Sequence, residues 1–355
     1  MKILYGVQGT GNGHIARARI MATAMAKRND IEVDFVFSGR APDAYFDMEC
    51  FGDYRTFNGL TFQTHKGQVS QWQTVKQAKP LQLLRDIHQL DVSGYDLLLN
   101  DFEPVTAWAA RRRGLPSISV SHQAAFTYDV PRHDEQLSDK LIMRCFAPTD
   151  VQLGVHWFHF DQPIVPPFIN DKPASEPTNS HVLVYLPFED IDEVREMLEP
   201  LTEQKFVCFH PRVTTEHKQG HISWFRPSKP GFRSALQHCS GVISNGGFEL
   251  ASESLQLKKK LLVKPLRGQF EQISNLKTLM TLGLCLPLYQ LDTDTVEDWL
   301  SEPASEGLEF PDDPTPMLDW IIAGNWSDTQ PLCDALWKQV KFGPKTRERL
   351  MSLAF

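Results

Sequence analysis

The chain lacks CxxC spacing among its 6 cysteines, a secretory leader pattern, any apolar run of membrane-spanning length and any surplus of basic charge. Each absence closes a class. Scattered cysteines build neither a structural zinc site nor a disulfide framework, and read as buried free thiols in a reducing compartment. The apolar start of "MKILYGVQGTGNGH" is too short for a leader and runs straight into glycines. With no stretch of about 20 apolar residues, the expected location is the cytoplasm. A formal net charge of -8 leaves nothing to neutralise phosphates along a duplex, which argues against a nucleic-acid partner. It still permits a local basic site for a small phosphorylated ligand. No lysine of the P-loop type follows the first glycine turn, and no repeat of solenoid length is present.

What is present is the profile of a globular protein: 355 residues, 41% hydrophobic and 23% charged, long enough for two domains. Short apolar runs alternate with helical patterns. "KILYGV", "IEVDFVFSG", "YDLLLNDFEP" and "PSISVSHQ" read as strands, with "HIARARIMATAMAKR" and "PVTAWAARRRG" as helices between them. Such alternation implies βαβ units and a parallel sheet. Periodicity vanishes in the proline-rich "FDQPIVPPFINDKPASEPTNSH", and a second series follows. It includes "HVLVYLPF", "KFVCFHP", "HISWFRP", "GVISNGG" and "KLLVKPL" as strands. The expected architecture is α/β, with two tandem Rossmann-like domains facing a central cleft. The divisions are residues 1–165, a linker at 166–180, a second domain at 181–325 and a helical tail at 326–355. In such sheets ligands bind beyond the carboxyl ends of the strands.

Chemistry-bearing residues collect at those ends. Gly9, Gly11 and Gly13 lie between the first strand and its helix, where unpaired N–H groups suit an anion or polar substrate. The spacing is GxGxG, and the next strand ends in "SGR" with no acid for an adenine ribose; Arg40 keeps an NADP-dependent oxidoreductase as an alternative. His14, in the first turn of the helix, is a candidate general base. Asp101 and Glu103, at the tip of "LLLND", could orient that histidine or act as base themselves, or cap the helix after Pro104. Asn12 lies between Gly11 and Gly13 in that turn, and His122, ending a later strand, could line the same cleft. In the second half, Asn245, Gly246 and Gly247 precede "FELASESL", whose Glu253 falls two turns into the helix. Amides at that start could hold a diphosphate without a metal, and the carboxylate could bridge a ribose diol. Glu271, Gln272 and Asn275 suit sugar hydroxyls, and Arg212, Arg226 and Arg267 are cations near strand ends. The "LKKK" run reads as a solvated helix end. The segment "SQWQTVKQAKPLQLLRDIHQL" reads foremost as a core-facing helix, with peripheral membrane association as its other use.

The ordered series resembles the GT-B glycosyltransferases, nearest to the MurG-like nucleotide-sugar transferases. Gly11-Asn12-Gly13-His14 is similar to that family's GxGH turn. Gly246-Gly247, Glu253, Pro265, Glu271-Gln272 and Asn275 are similar to its later motif. The chain departs from it at Leu276, at the lysine run that replaces a glycine, and at Asn245-Gly246. The resemblance implies inverting, metal-independent transfer from a nucleotide sugar, UDP-linked as first choice, to a hydroxyl acceptor, with no further cofactor. By it, Glu253 holds the ribose and Gly246, Gly247 and Phe248 face the diphosphate. Glu271 and Gln272 contact the donor sugar, and backbone around Phe225 meets the base. Gly11, Asn12, Gly13 and His122 would line the acceptor side, His14 with Asp101 would deprotonate the acceptor, and Arg212 or Arg226 would meet charge on the leaving group. A nucleotide-sugar epimerase of the same fold and a non-catalytic sensor are the rival readings. No residue pattern specifies an oligomeric state.

Overall fold

The computed structural model describes residues 1–59, 64–65, 68–69, 80–133, 142–173 and 180–353. The first half builds seven strands: β1 (Lys2–Gln8), β2 (Glu32–Ser38), β3 (Tyr54–Phe57), β4 (Leu97–Asp101), β5 (Ser117–Ser121), β6 (Val151–Val155) and β7 (Ile164–Val165). They form one parallel sheet in the order β3-β2-β1-β4-β5-β6-β7. The reason lies in β1, whose residues Ile3, Leu4, Tyr5 and Val7 are all fully buried. A strand apolar on both faces needs helices on both faces. Ile3, Tyr5 and Val7 pack under helix α1 (Asn12–Met25), through Ile15, Ala18, Met21 and Met25. Leu4, with Val36 and Leu98, turns to the opposite face, under α2 (Pro80–Gln89) and α3 (Pro104–Arg113). On α2, Ile87 is buried while Leu81 and Leu84 are exposed, so only part of that helix faces the core. Residues 70–79 of the same segment lie outside the described residues.

The second half repeats the plan with β8 (His181–Tyr185), β9 (Phe206–Phe209), β10 (His217–Gln219), β11 (Ile222–Phe225), β12 (Cys239–Asn245), β13 (Lys260–Lys264) and β14 (Leu286–Pro287). Their order is β10-β11-β9-β8-β12-β13-β14, parallel except for the β10–β11 hairpin. Val182 and Val184 face a core closed by α5 (Ile191–Leu198) and α9 (Thr293–Ser301), with Trp299 fully buried. Leu183 faces the other way, toward α6 (Lys229–His238), α7 (Phe248–Gln256) and α8 (Phe270–Leu282).

That last core does not stop at the domain boundary. It runs on into the first domain through Phe126, Trp157 and Phe160. Phe126 meets Phe270 edge-on at 5.4 Å, and Trp157 meets Phe248 at 4.8 Å. Burying an aromatic ring of this kind contributes roughly 2 kcal/mol, so the two sheets share an apolar seam. The crossing segment starts buried, at Phe168 and Ile169, with Ile169 N donating to Pro311 O at 3.0 Å. Residues 174–179 of the expected linker lie outside the described residues. The tail returns to the first domain: helix α11 (Gln330–Trp337), which follows α10 (Thr315–Ala323), donates the Trp337 indole to Ile164 O at 2.7 Å. Among the described residues no helix is long and apolar enough to cross a membrane.

The lysine run is not a solvated helix end. Lys258 is exposed with φ 58°, the left-handed position that closes α7. Lys259 is buried and donates to Gln237 O at 2.9 Å and Cys239 O at 2.7 Å, satisfying carbonyls at the end of α6. Lys260 does the same for α9, reaching Trp299 O, Leu300 O and Glu302 O. A lysine has the reach and the three donors to cap the end of a neighbouring helix.

Candidate active site

Helix α1 begins at Gly11, extended at φ -113°, with no side-chain cap. A Cβ at Gly9 would collide with the carbonyl of Ser38 at 2.8 Å, so this turn requires glycine. One at Gly13 would collide with the side chain of Glu249 on α7. The missing Cβ of Gly13 therefore lets the second domain approach the start of α1. His14 follows, partly exposed, with its Nδ1 2.8 Å from Asp101 Oδ1. Asp101 ends β4 with a fully buried side chain. A carboxylate accepts only, so the shorter contact favours the proton on Nδ1 and leaves Nε2 as the basic nitrogen, although Arg17 Nη2 lies 3.2 Å from the same Nδ1.

Arg17, three residues on from His14, completes the cluster. Its Nε donates to Asp101 Oδ2 at 2.9 Å and its Nη2 to Oδ1 at 2.8 Å. Its Nη1 pairs with Glu249 across the domain seam. Burial alone would push the Asp101 carboxyl up, but Arg17 and then His14 outweigh it and hold it below the usual carboxylate range. Burial raises Glu249, against the pull of Arg17. Burial would also lower Arg17, yet Asp101 and Glu249 raise it further, so it stays a cation.

Glu103 is separated from this cluster by one dihedral. Phe102 sits at φ 55°, with its ring stacked on Phe146 at 4.7 Å. The strand ends there, so Asp101 faces α1 while Glu103 turns to α3. Fully buried, Glu103 accepts from Val105 N at 2.8 Å, Thr106 N at 2.6 Å, Thr106 Oγ1 at 2.6 Å and Ser38 Oγ at 2.6 Å. Its work is that of an N-cap. His122 also has both ring nitrogens engaged, Nδ1 with Val155 O at 3.0 Å and Nε2 with Asn275 Oδ1 at 2.7 Å. Its ring stacks on Phe248 at 3.9 Å. It belongs to the seam between the domains.

On the second domain, Gly246 and Gly247 follow β12, and Gly247 is the extended N-cap of α7. A Cβ at Gly246 would strike Gln272 O at 2.8 Å, whereas the space beside Gly247 is open. Gln272 Oε1 accepts from Gly246 N at 3.1 Å and Leu266 N at 3.0 Å, and Asn275 Nδ2 donates to Gly246 O at 2.9 Å. Both amides thus hold the loop in place from behind. Asn245 Nδ2 donates to Glu189 Oε1 at 3.1 Å and Lys264 O at 3.0 Å. Glu271 accepts from Gln123 Nε2 of the first domain at 3.1 Å. Glu253 is partly buried four residues after Glu249, on the same side of α7. Phe225 ends β11, stacked on Phe209 at 5.4 Å. Arg226 and Arg267 are exposed, and Arg212 is paired with Asp190 at 2.8 Å.

The fold therefore gathers His14, Asp101 and the start of α7 at one place. It holds Glu103, Gln272 and Asn275 in scaffolding roles nearby. Sequence reasoning missed Arg17 and Glu249. Arg17 left a signal, its i,i+3 spacing from His14 on one helical face; Glu249 left none, since its partner lies 232 positions away.

The family model for Glycosyl transferase family 1 matches residues 1–303. No curated protein matches the chain. Among solved structures, Acinetobacter baumannii MurG is similar over 98% of this chain and 94% of its own, at 12% identity and TM-score 0.50. LpCGTa in complex with UDP is similar over 99% and 98%, at 12% identity and TM-score 0.57. The calicheamicin glycosyltransferase CalG4 is similar over 99% and 97%, at 13% identity and TM-score 0.55. At such identities the likeness shows the fold.

Proposed function

The chain belongs to Glycosyl transferase family 1 and is a glycosyltransferase of the GT-B fold; on that premise we propose that it moves a sugar from a UDP-linked donor to a hydroxyl acceptor with inversion. The observation that carries this reading is the His14–Asp101 pair, 2.8 Å apart at the end of β4 and next to the start of α7. Asp101 keeps the Nδ1 proton in place, and Nε2 takes the proton of the acceptor hydroxyl. The freed oxygen attacks the anomeric carbon from the face opposite the diphosphate, whose bond to that carbon breaks. The N–H groups at the start of α7 would meet the charge on the departing diphosphate, so the reading needs neither a metal nor another cofactor. The open space beside Gly247 supports a diphosphate there. Glu253 would hold the ribose, Glu271 the donor sugar, and the backbone at Phe225 the base. A UDP donor is supported by the UDP complex of LpCGTa. The first domain, residues 1–165, would hold the acceptor and residues 181–325 the donor, in the cytoplasm.

Two measurements test this. Calorimetry with UDP should show affinity falling at least about tenfold in Glu253→Ala, the loss of roughly 1.4 kcal/mol or more. Unchanged affinity removes Glu253 from the donor site. A melting-temperature panel of UDP-sugars identifies the donor, and UDP release is then followed over a panel of hydroxyl acceptors. His14→Ala should bind UDP as the native chain does and turn over about 10²–10⁴-fold more slowly. Native turnover would exclude His14 as the base. Donor isomerised without any acceptor would favour an epimerase.

A further inference from the structure

We propose that Arg17 is a positioning residue through which Glu249, on the donor-side helix α7, completes the His14–Asp101 dyad. This rests on the roles given above to His14 and Asp101. Arg17 grips both oxygens of Asp101, at 2.9 and 2.8 Å, and the second of these oxygens also binds His14 Nδ1 at 2.8 Å. A planar fork on a carboxylate fixes its plane, and a fixed carboxylate fixes the imidazole that donates to it. The remaining arm of the same guanidinium reaches Glu249 in the other domain. Gly13 supplies the room for that contact, since any Cβ there would meet the Glu249 side chain. With Arg17 and Glu249 both largely buried, neither charge can be solvated in place of the other. Docking of α7 and alignment of the base are then one event.

The charges of the cluster fit this role. Arg17 stands between two carboxylates, Asp101 and Glu249, in a largely buried cluster, so one cation faces two acids. A proton received at Nε2 adds the positive charge that offsets the second acid. Without Arg17 two buried carboxylates face each other, and one must take up a proton. The other titratable groups facing Arg17 are Tyr5 from β1 and His122 from the short helix α4 (His122–Ala125). Burial pushes the Tyr5 phenol up, and its hydroxyl has no hydrogen-bond partner among the described residues. Burial lowers His122, against the pull of Glu271.

The test follows the His14 ring by NMR across pH in the full chain, its signals assigned by their disappearance in His14→Ala. Arg17→Gln removes a cation and should move the dyad's acid transition up by about half a pH unit or more. Glu249→Gln removes an anion supplied by the other domain and should move it down by a similar amount. Arg17→Lys keeps the charge without the fork and should return the transition toward the native position. A Glu249→Gln transition at the native pH, or shifts of the same sign in Arg17→Gln and Glu249→Gln, would overturn the proposal. If Arg17→Gln fails to fold, Glu249→Gln decides alone, because the Glu249 side chain is less buried than that of Arg17. Slow turnover in His14→Ala with an unmoved Glu249→Gln titration defeats the coupling only; native turnover in His14→Ala defeats the base assignment only.

Discussion

The left-handed backbone at Phe102, φ 55°, decides which of two neighbouring acids faces His14. A bulky residue in that region is disfavoured by about 1–2 kcal/mol, and here it turns Asp101 toward His14 and Glu103 into a helix cap. The two acids should respond differently to substitution. Glu103→Ala strips partners from two backbone N–H groups and two hydroxyls. It should lower unfolding free energy by about 2–4 kcal/mol in urea titration, with turnover per folded molecule preserved. Asp101→Asn should do the reverse, slowing UDP release far more than it lowers stability. Lys258 occupies the other informative dihedral, at φ 58°. Lys258→Gly should raise stability by about 1 kcal/mol, because glycine enters this region without a Cβ clash.

Among elements, the start of α1 and the start of α7 are built to meet. Gly13 is the contact point, and Gly13→Val should hold the helices apart. The expected readouts are a larger radius of gyration in solution scattering and a loss of turnover beyond about tenfold, with UDP affinity retained if the donor site is the one proposed on the second domain. The lysines after α7 make a contrasting case. Lys259 bonds two carbonyls at the end of α6 from a buried position. Lys259→Met should cost about 2 kcal/mol in thermal or urea unfolding, while the exposed Lys258→Ala stays within about 0.5 kcal/mol. Equal effects at both positions would contradict the capping role of Lys259.

At the scale of the whole molecule, the domains meet over an apolar seam that contains buried histidines. Burial lowers His156 well below the ordinary histidine value, with the nearby His122 acting in the same direction; burial lowers His122 too. For a group depressed in the folded state, the unfolded chain binds the proton first as pH falls. The stabilising contribution is therefore present above about pH 6.5 and is lost progressively below it. Each such histidine contributes a slope of up to about 1.4 kcal/mol per pH unit. Melting temperature should fall between pH 6.5 and 5, and His156→Phe should flatten that fall. A melting temperature independent of pH over this window would mean that the seam histidines are protonated without penalty.

Much of the architecture was already determined by local pattern. Apolar runs such as Leu97–Leu99 and Val182–Val184, buried on both faces, admit helices on both sides of a parallel sheet and little else, so two Rossmann-like halves were legible. So were the glycine turns and the histidine beside them, because a strand–turn–helix junction places its residues at a sheet's carboxyl edge. The pairing of distant charges was decided only by the tertiary structure. Glu103 caps a helix because of one left-handed residue. Lys259 and Lys260 serve the ends of α6 and α9. Glu249 reaches Arg17 only because two sheets close on each other. Backbone preferences act over a few residues and are written locally; an ion pair across 232 positions exists only once hydrophobic burial has brought the domains together.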